Sequence, residues 1–400
     1  MNPIRKLYCR ARQQFFRLFI PILPYRCPRV LKNISELPEL FRSKGITSVM
    51  LVTDESIRRC GLTTALEKLL RSSSVRLTVY DKTVPNPTIS NVETALSLYN
   101  SNSCQALIGF GGGSSIDCAK AVGARVARPD KKLSQMQGLL KVHHKLPLLI
   151  AIPTTAGTGS ETTLAAVITD DVTRHKYPIN DFCLIPAYAV LDPEITCSLP
   201  PRLTATTGLD ALTHAVEAYI GGETTGETRK DSIKAVSIIF KYLPRAYNNG
   251  NDITARRQML YAAYLAGIAF TKSYVGYVHA VAHSLGGKYN TPHGLANAVL
   301  LPNVLEAYGS AAHHKLSRLA KETGIVRTDE VISDKEAAGR FIDAIRILEN
   351  KLNIPDRLPE INKEDIPGLA RQADREANPL YPVPKLMDAK ELEKLYYTVI

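Results

Sequence analysis

From residue 46 the chain alternates short apolar runs with longer stretches whose apolar positions recur every three or four residues. ITSVMLVTD (46–54), VRLTVYD (75–81), CQALIGF (104–110), LPLLIAIP (146–153) and AYAVLDP (187–193) have the length and β-branched content of buried strands. Between them, ESIRRCGLTTALEKLLRSS (55–73), the segment 91–100 and SSIDCAKAVGARVA (114–127) have helical spacing. Strands alternating with helices predict βαβ units and a mostly parallel, doubly wound sheet. Beyond Pro200 the pattern changes. GLDALTHAVEAYI, SIKAVSIIFKYL, ARRQMLYAAYLAGIAF, NAVLLPNVLEAY and EAAGRFIDAIRILENKL all repeat at helical spacing, and Val/Ile-rich extended runs are lacking. The expectation is an α/β domain over 29–198 and an all-helical domain over 199–400.

Residues 1–28 form a third element, a basic arm. Asn2 and Pro3 suit an N-cap and first helical position. Ile4, Leu7, Ala11, Phe15, Leu18 and Phe19 then follow at helical spacing until Pro21. Eight of the twelve net positive charges fall on residues 1–32, which hold no Asp or Glu. The body is therefore near neutral, which argues against a nucleic-acid surface. Arg17 interrupts the apolar stretch and no small-residue cleavage site follows, so the arm does not read as a secretory signal. A mitochondrial transit peptide is usually Ser-rich, and the first serine here is Ser35. Two readings of residues 1–24 stay open: a helix lying on an anionic membrane surface, or an arm docked on its own subunit or a partner. No run of 18 apolar residues exists. Seven scattered cysteines without a CxxC pair suggest a reducing, cytoplasmic setting.

Candidate chemistry begins at FGGGSSIDCAK, where a strand gives way to a helix. Gly111, Gly112 and Gly113 permit a sharp turn with no Cβ between backbone and an anion. Ser114 and Asp117 have capping-box spacing, and the helix N-terminus suits a phosphate, which puts both among the cofactor-binding candidates. Asp54 ends the first strand, as an acid holding an adenosine ribose would, although here it precedes the glycines. IPTTAGTGSET ends another strand and offers the hydroxyls of Thr154, Thr155 and Thr158.

GLDALTHAVEAY puts Asp210 and His214 on one helix face. HAVAHSLGGKYNTPHG repeats the four-residue spacing with His279 and His283, and adds His293. A carboxylate with two or three imidazoles suits Fe²⁺ or Zn²⁺. Spacing alone leaves open which histidines bind, and whether Asp210 meets them.

GGGSSIDCAKAVG, TTAGTGSE, GLDALTHAVEAY and HAVAHSLGGKYNTPHGLANAVLLP together resemble the iron-containing (group III) alcohol dehydrogenases, from about Leu31 to the C-terminus. The resemblance implies a Rossmann-like nucleotide domain followed by an all-α domain, the dehydroquinate synthase-like architecture, with the active site in the cleft between them. It implies Asp210, His214, His279 and His293 as metal ligands, with His283 near nicotinamide and substrate as a catalytic group. It further implies Asp54 on the ribose, Gly111, Gly112, Gly113 and Ser114 on the pyrophosphate, and Thr154, Thr155, Thr158, Lys176 and Asn86 as cofactor contacts. Ser115 stands where many members have Pro. The arm extends beyond the family core.

The expected activity is NAD-linked, with NADP disfavoured by Asp54, and interconverts a small alcohol with its aldehyde or ketone. A homo-oligomer is the family expectation. Two alternatives are a dehydroquinate-synthase-like or glycerol-dehydrogenase-like metal/NAD enzyme and a membrane-attached metal-binding protein without catalysis. The apolar neighbours of the helical motifs disfavour a polyanionic substrate.

Overall fold

Every residue of the strand Ser48–Val52 is buried, as expected where helices cover both faces of a parallel sheet. The computed structural model describes residues 1–173, 175–358 and 361–400. It divides into two compact units, Pro24–Leu199 and Met1–Leu23 with Pro200–Ile400. Its strands are β1 (Arg29–Leu31), β2 (Ser48–Val52), β3 (Arg76–Tyr80), β4 (Ala106–Gly111), β5 (Gly138–Leu139), β6 (Leu148–Pro153), β7 (Ala165–Thr169), β8 (Lys176–Asn180) and β9 (Tyr188–Val190). Its helices include α1 (Pro3–Phe19), α2 (Gly113–Ala127), α3 (Pro201–Ile220), α4 (Tyr277–Tyr289), α5 (His293–Tyr308) and α6 (Ile366–Ala377).

In the Pro24–Leu199 unit six parallel strands run in the order β1-β9-β6-β4-β2-β3. β2 pairs with both β3 and β4, Val49 lying opposite Leu77 on one side and Ala106 on the other. The winding reverses between β2 and β4, the place where open α/β sheets bind ligands beyond the strands' carboxyl ends. One face packs on α2 through Cys118, Ala119 and Val122; Phe41, Leu66 and Leu70 belong to the core on the other. The stretch 55–73 is two helices, Glu55–Arg59 and Thr64–Ser72, rather than the single helix its spacing predicts. Gly61 takes φ +74° between them, the left-handed stop that ends helices. A small second sheet, β5-β8-β7, was not legible in the sequence.

The other unit has no strand among its described residues. Its centre is α3, buried all round from Gly208 to Ile220, the mark of a core helix. It packs against Gly226–Asn248, Ile253–Ser273 and α5. α1 forms as the sequence predicts, with Asn2 accepting from the Arg5 N–H, and docks on this unit. No helix among the described residues is long and apolar enough to cross a membrane.

Candidate metal and nucleotide sites

α3, α4 and α5 bring Asp210, His214, His279 and His293 together: one ligand atom from each lies within 4.8 Å of the other three. His279 Nε2 is 3.9 Å and His293 Nε2 3.5 Å from Asp210 Oδ1. Asp210, His214 and His279 are buried. Phe270 stacks on one face of the His214 ring and His279 on the other. His279 Nε2 is buried without a hydrogen-bond partner. Such a polar atom is costly unless something binds it. A carboxylate and three imidazoles facing inward fit a divalent cation of borderline softness.

The approach of α5 depends on Gly294, beside His293. A Cβ there would lie 2.4 Å from the Thr206 carbonyl oxygen of α3, and backbone cannot yield as a side chain can. Gly294→Ala is expected to push α5 away and misplace His293. The expected result is a lower melting temperature and substoichiometric metal on elemental analysis; full metal occupancy would contradict it.

A second layer of hydrogen bonds holds the candidate ligands. His279 Nδ1–H donates to Glu217 Oε2 at 2.6 Å. The same carboxylate accepts from the N–H groups of Gly276 and Val278, both at 2.8 Å, where α4 begins. Burial pushes the Glu217 carboxyl up to about 7 against these donors. With Gly276 and Val278 donating one N–H to each oxygen, the anionic carboxylate accepts the His279 Nδ1 proton and leaves the Nε2 lone pair towards Asp210. Burial and the neighbouring imidazoles hold His279 neutral, well below its usual pKa. Asn297 Nδ2 donates to Asp210 Oδ1 at 2.7 Å and lies 3.1 Å from His293 Nε2.

His283 stays outside the four-ligand cluster. Its ring stacks on His293 with centroids 5.1 Å apart, and its Nδ1–H donates to Glu376 Oε1 at 2.6 Å. The Tyr381 hydroxyl donates to the same oxygen at 2.8 Å. Burial raises the Glu376 carboxyl, but His283 and Tyr381 outweigh it and leave the pKa below the usual value.

The nucleotide candidates gather at the carboxyl ends of β2, β4 and β6. Gly111 takes φ +153°, and a Cβ on it would lie 2.5 Å from Ser115 Oγ; only glycine fits this turn. Thr154 N–H donates to the Gly111 carbonyl at 3.0 Å, tying the two loops together. A Cβ on Gly112 would come 3.9 Å from Thr155 Oγ1, and one on Gly113 3.5 Å from Thr158 Cγ2. Thr155 Oγ1 is buried with no partner. Asp54 caps Glu55–Arg59 by accepting from the Ile57 N–H, and its Oδ2 is 3.5 Å from Ser115 Oγ. Asn86 N–H donates to Ser114 Oγ at 3.3 Å, and Lys176 Nζ donates to Asn86 Oδ1 at 2.7 Å.

The expected capping box does not form. α2 starts at Gly113, Gly112 is its N-cap and no side chain caps it. Asp117 instead turns inward and accepts from the Val167 N–H of β7 at 3.0 Å. Burial pushes its carboxyl up to about 6. The N-terminus of this 15-residue helix has no side-chain cap, an arrangement that suits an anion. Buried Lys120, one turn on, donates to the Thr163 and Ala165 carbonyls at 2.8 Å and to Thr163 Oγ1 at 2.7 Å, anchoring the end of the threonine loop.

The descriptions "Iron-containing alcohol dehydrogenase" and "Fe-containing alcohol dehydrogenase family, C-terminal" match residues 30–193 and 204–400. The chain is 38% identical to "Alcohol dehydrogenase 4" of Saccharomyces cerevisiae, over 86% of this chain and 89% of that protein. The chain belongs to the iron-containing alcohol dehydrogenase family. It is also 36% identical to the "NAD-dependent methanol dehydrogenase" of Bacillus methanolicus, over 85% and 89% of the two chains. The solved structure "Alcohol dehydrogenase from Oenococcus oeni" superposes with a TM-score of 0.89 at 32% identity, covering 94% of this chain and all of that one. Within this iron-containing alcohol dehydrogenase, sequence reading missed Glu217, Asn297 and Glu376. Glu217 lies three residues after His214 on the same helix face, and Asn297 four after His293, so both carried a spacing signal. Glu376 carried none.

Proposed function

We propose that this chain is a metal-dependent, NAD-linked alcohol dehydrogenase that interconverts a small alcohol and its aldehyde or ketone. The observation that carries the reading is the buried convergence of Asp210, His214, His279 and His293 in a chain of this family. Those four residues hold the ion, Fe²⁺ or Zn²⁺. When bound, the ion supplies Lewis acidity to the substrate oxygen and the nicotinamide supplies the hydride acceptor.

This chain's own residues do the rest. Glu217 keeps His279 in its binding tautomer. The uncapped start of α2 and Gly111, Gly112 and Gly113 receive the pyrophosphate, with Ser114, Asn86 and Lys176 along one side and Thr154, Thr155 and Thr158 along the other. His283 takes the hydroxyl proton, directly or through water, at Nε2. Glu376 favours that tautomer by holding the Nδ1 proton. The methanol dehydrogenase among the relatives supports a small substrate. NADH formation from NAD with a panel of short alcohols tests the reading; no turnover by metal-loaded protein with any alcohol, and none with the aldehydes in reverse, would overturn it.

Asp54 opposes a ribose 2′-phosphate by charge. Asp54→Gly is expected to lower the NAD/NADP ratio of kcat/KM about tenfold. The helix cap costs only a few tenths of a kcal/mol, because glycine is a tolerated N-cap. An unchanged ratio would contradict the assignment.

A further inference from the structure

α1 docks on the protein through Arg5, Cys9, Arg10 and Gln13 and leaves a stripe of apolar side chains outward. On the inner side Arg5 makes two 2.8 Å bonds to the Asp374 carboxylate of α6. Arg10 donates to the Val383 and Pro384 carbonyls at 2.8 and 2.9 Å, and Gln13 to the Tyr381 carbonyl at 2.7 Å. Cys9 is buried between them in sequence. On the outer side Ile4, Tyr8, Phe15, Leu18 and Ile22 are 81%, 56%, 63%, 75% and 74% exposed. With Ala11 they alternate at spacings of four and three, a stripe along α1 that Ile22 continues in the 3₁₀ turn Ile20–Ile22. A surface helix ordinarily buries this stripe. Here the polar contacts hold it in the reverse sense, and a contiguous apolar face that stays outward marks an interaction site.

Charge decides the occupant. Lys6, Arg12 and Arg17 are exposed on the same helix, and the first acid in the chain is Glu36. A groove of ≈ 490 Å³ at the start of the helix is lined by Pro3, Lys6, Leu7, Arg10, Lys385 and Leu386, so three cations rim an apolar floor. A second copy of the arm would bring like charges together. An anionic phospholipid surface complements both features: acyl chains for the stripe, headgroup phosphates for the cations.

We propose that α1 is an interfacial anchor that lays its outward stripe into an anionic membrane surface, with Lys6, Arg12, Arg17 and Lys385 on the headgroups. The anchor shares no residue with the metal and nucleotide sites. The test is co-sedimentation of the full chain with vesicles of phosphatidylcholine alone and of phosphatidylcholine mixed with phosphatidylglycerol. The chain is expected to pellet with the mixed vesicles only, and less so as salt rises. Phe15→Ser with Leu18→Ser removes exposed side chains only, and should weaken binding on the order of 100-fold while melting temperature and alcohol turnover stay unchanged. Failure to pellet with the mixed vesicles, or equal pelleting with both kinds, overturns the proposal. So does self-association of the chain that the double substitution abolishes, because a second copy then covers the stripe.

Discussion

Asp210→Asn is expected to leave a folded protein that has lost its metal and its activity. The substitution is isosteric, and the amide oxygen still accepts from Asn297 Nδ2, now at 2.7 Å from Asp210 Oδ1. What disappears is the one negative charge among the four inward-facing candidate ligands. Three neutral imidazoles and an amide bind a divalent ion far more weakly than a set containing a carboxylate. Loss of Lewis-acid assistance, worth several kcal/mol, lowers kcat/KM by about 10³-fold. Elemental analysis should fall from one ion per chain towards zero. The melting temperature of the metal-free wild type and of the variant should agree closely, because the wild type's extra stability comes from ligand binding to the native state. A variant that keeps its metal and turns over normally would contradict the ligand assignment.

Glu217→Gln is expected to do more damage than its conservative form suggests. Both Glu217 oxygens are acceptors, one from Val278 and the other from Gly276 and His279. Whichever way the Gln amide is turned, its NH₂ group meets a backbone N–H that already points at that position. A buried donor left unpaired costs about 1–3 kcal/mol. With the NH₂ towards His279 the ring loses the acceptor that fixes its tautomer, and with the amide oxygen there it keeps only a neutral one; either change weakens metal binding, typically by about 10–100-fold. Thermal melting and competition with a metal chelator read the two effects separately. Chelator resistance equal to the wild type's would show that Glu217 is only a cap for α4.

Most strands legible in the sequence have continuous apolar runs because both sheet faces are covered; β3, at the sheet edge and only partly buried, was legible from its β-branched alternation. β7 and β8 are half-buried, alternating strands of five residues, and Pro178 within KYPIN reads as a loop. β1 and β5 are only three and two residues long. Such pairings depend on where the rest of the chain goes. The same holds at the metal centre. Spacing identified Asp210 with His214 and His279 with His283 as pairs on helix faces, but their meeting depends on α3, α4 and α5 packing together, with Gly294 setting the closest approach. Nor can spacing tell that His283 turns to Glu376 while His279 turns to Asp210, since both lie on one helix. Glu217 closes the apolar run of GLDALTHAVEAY, where a glutamate ordinarily faces solvent; its burial against the start of α4 reverses that. For Ser114 and Asp117, a helix that begins at Gly113 moves both off the capping positions, and burial leaves Asp117 bonded to β7. In the arm the apolar stripe was plain, but the amphipathic rule would have buried it. Arg5, Arg10 and Gln13 dock the opposite face instead.

Asp210, His214, His279 and His293 are proposed to bind a single divalent cation. X-ray absorption spectroscopy of the iron- or zinc-loaded protein tests it most directly. A first shell of nitrogen and oxygen at about 2.0–2.2 Å, with outer-shell scattering from three imidazoles, is the result this account predicts. A spectrum without imidazole scattering, or loaded protein that holds no stoichiometric ion, would contradict it.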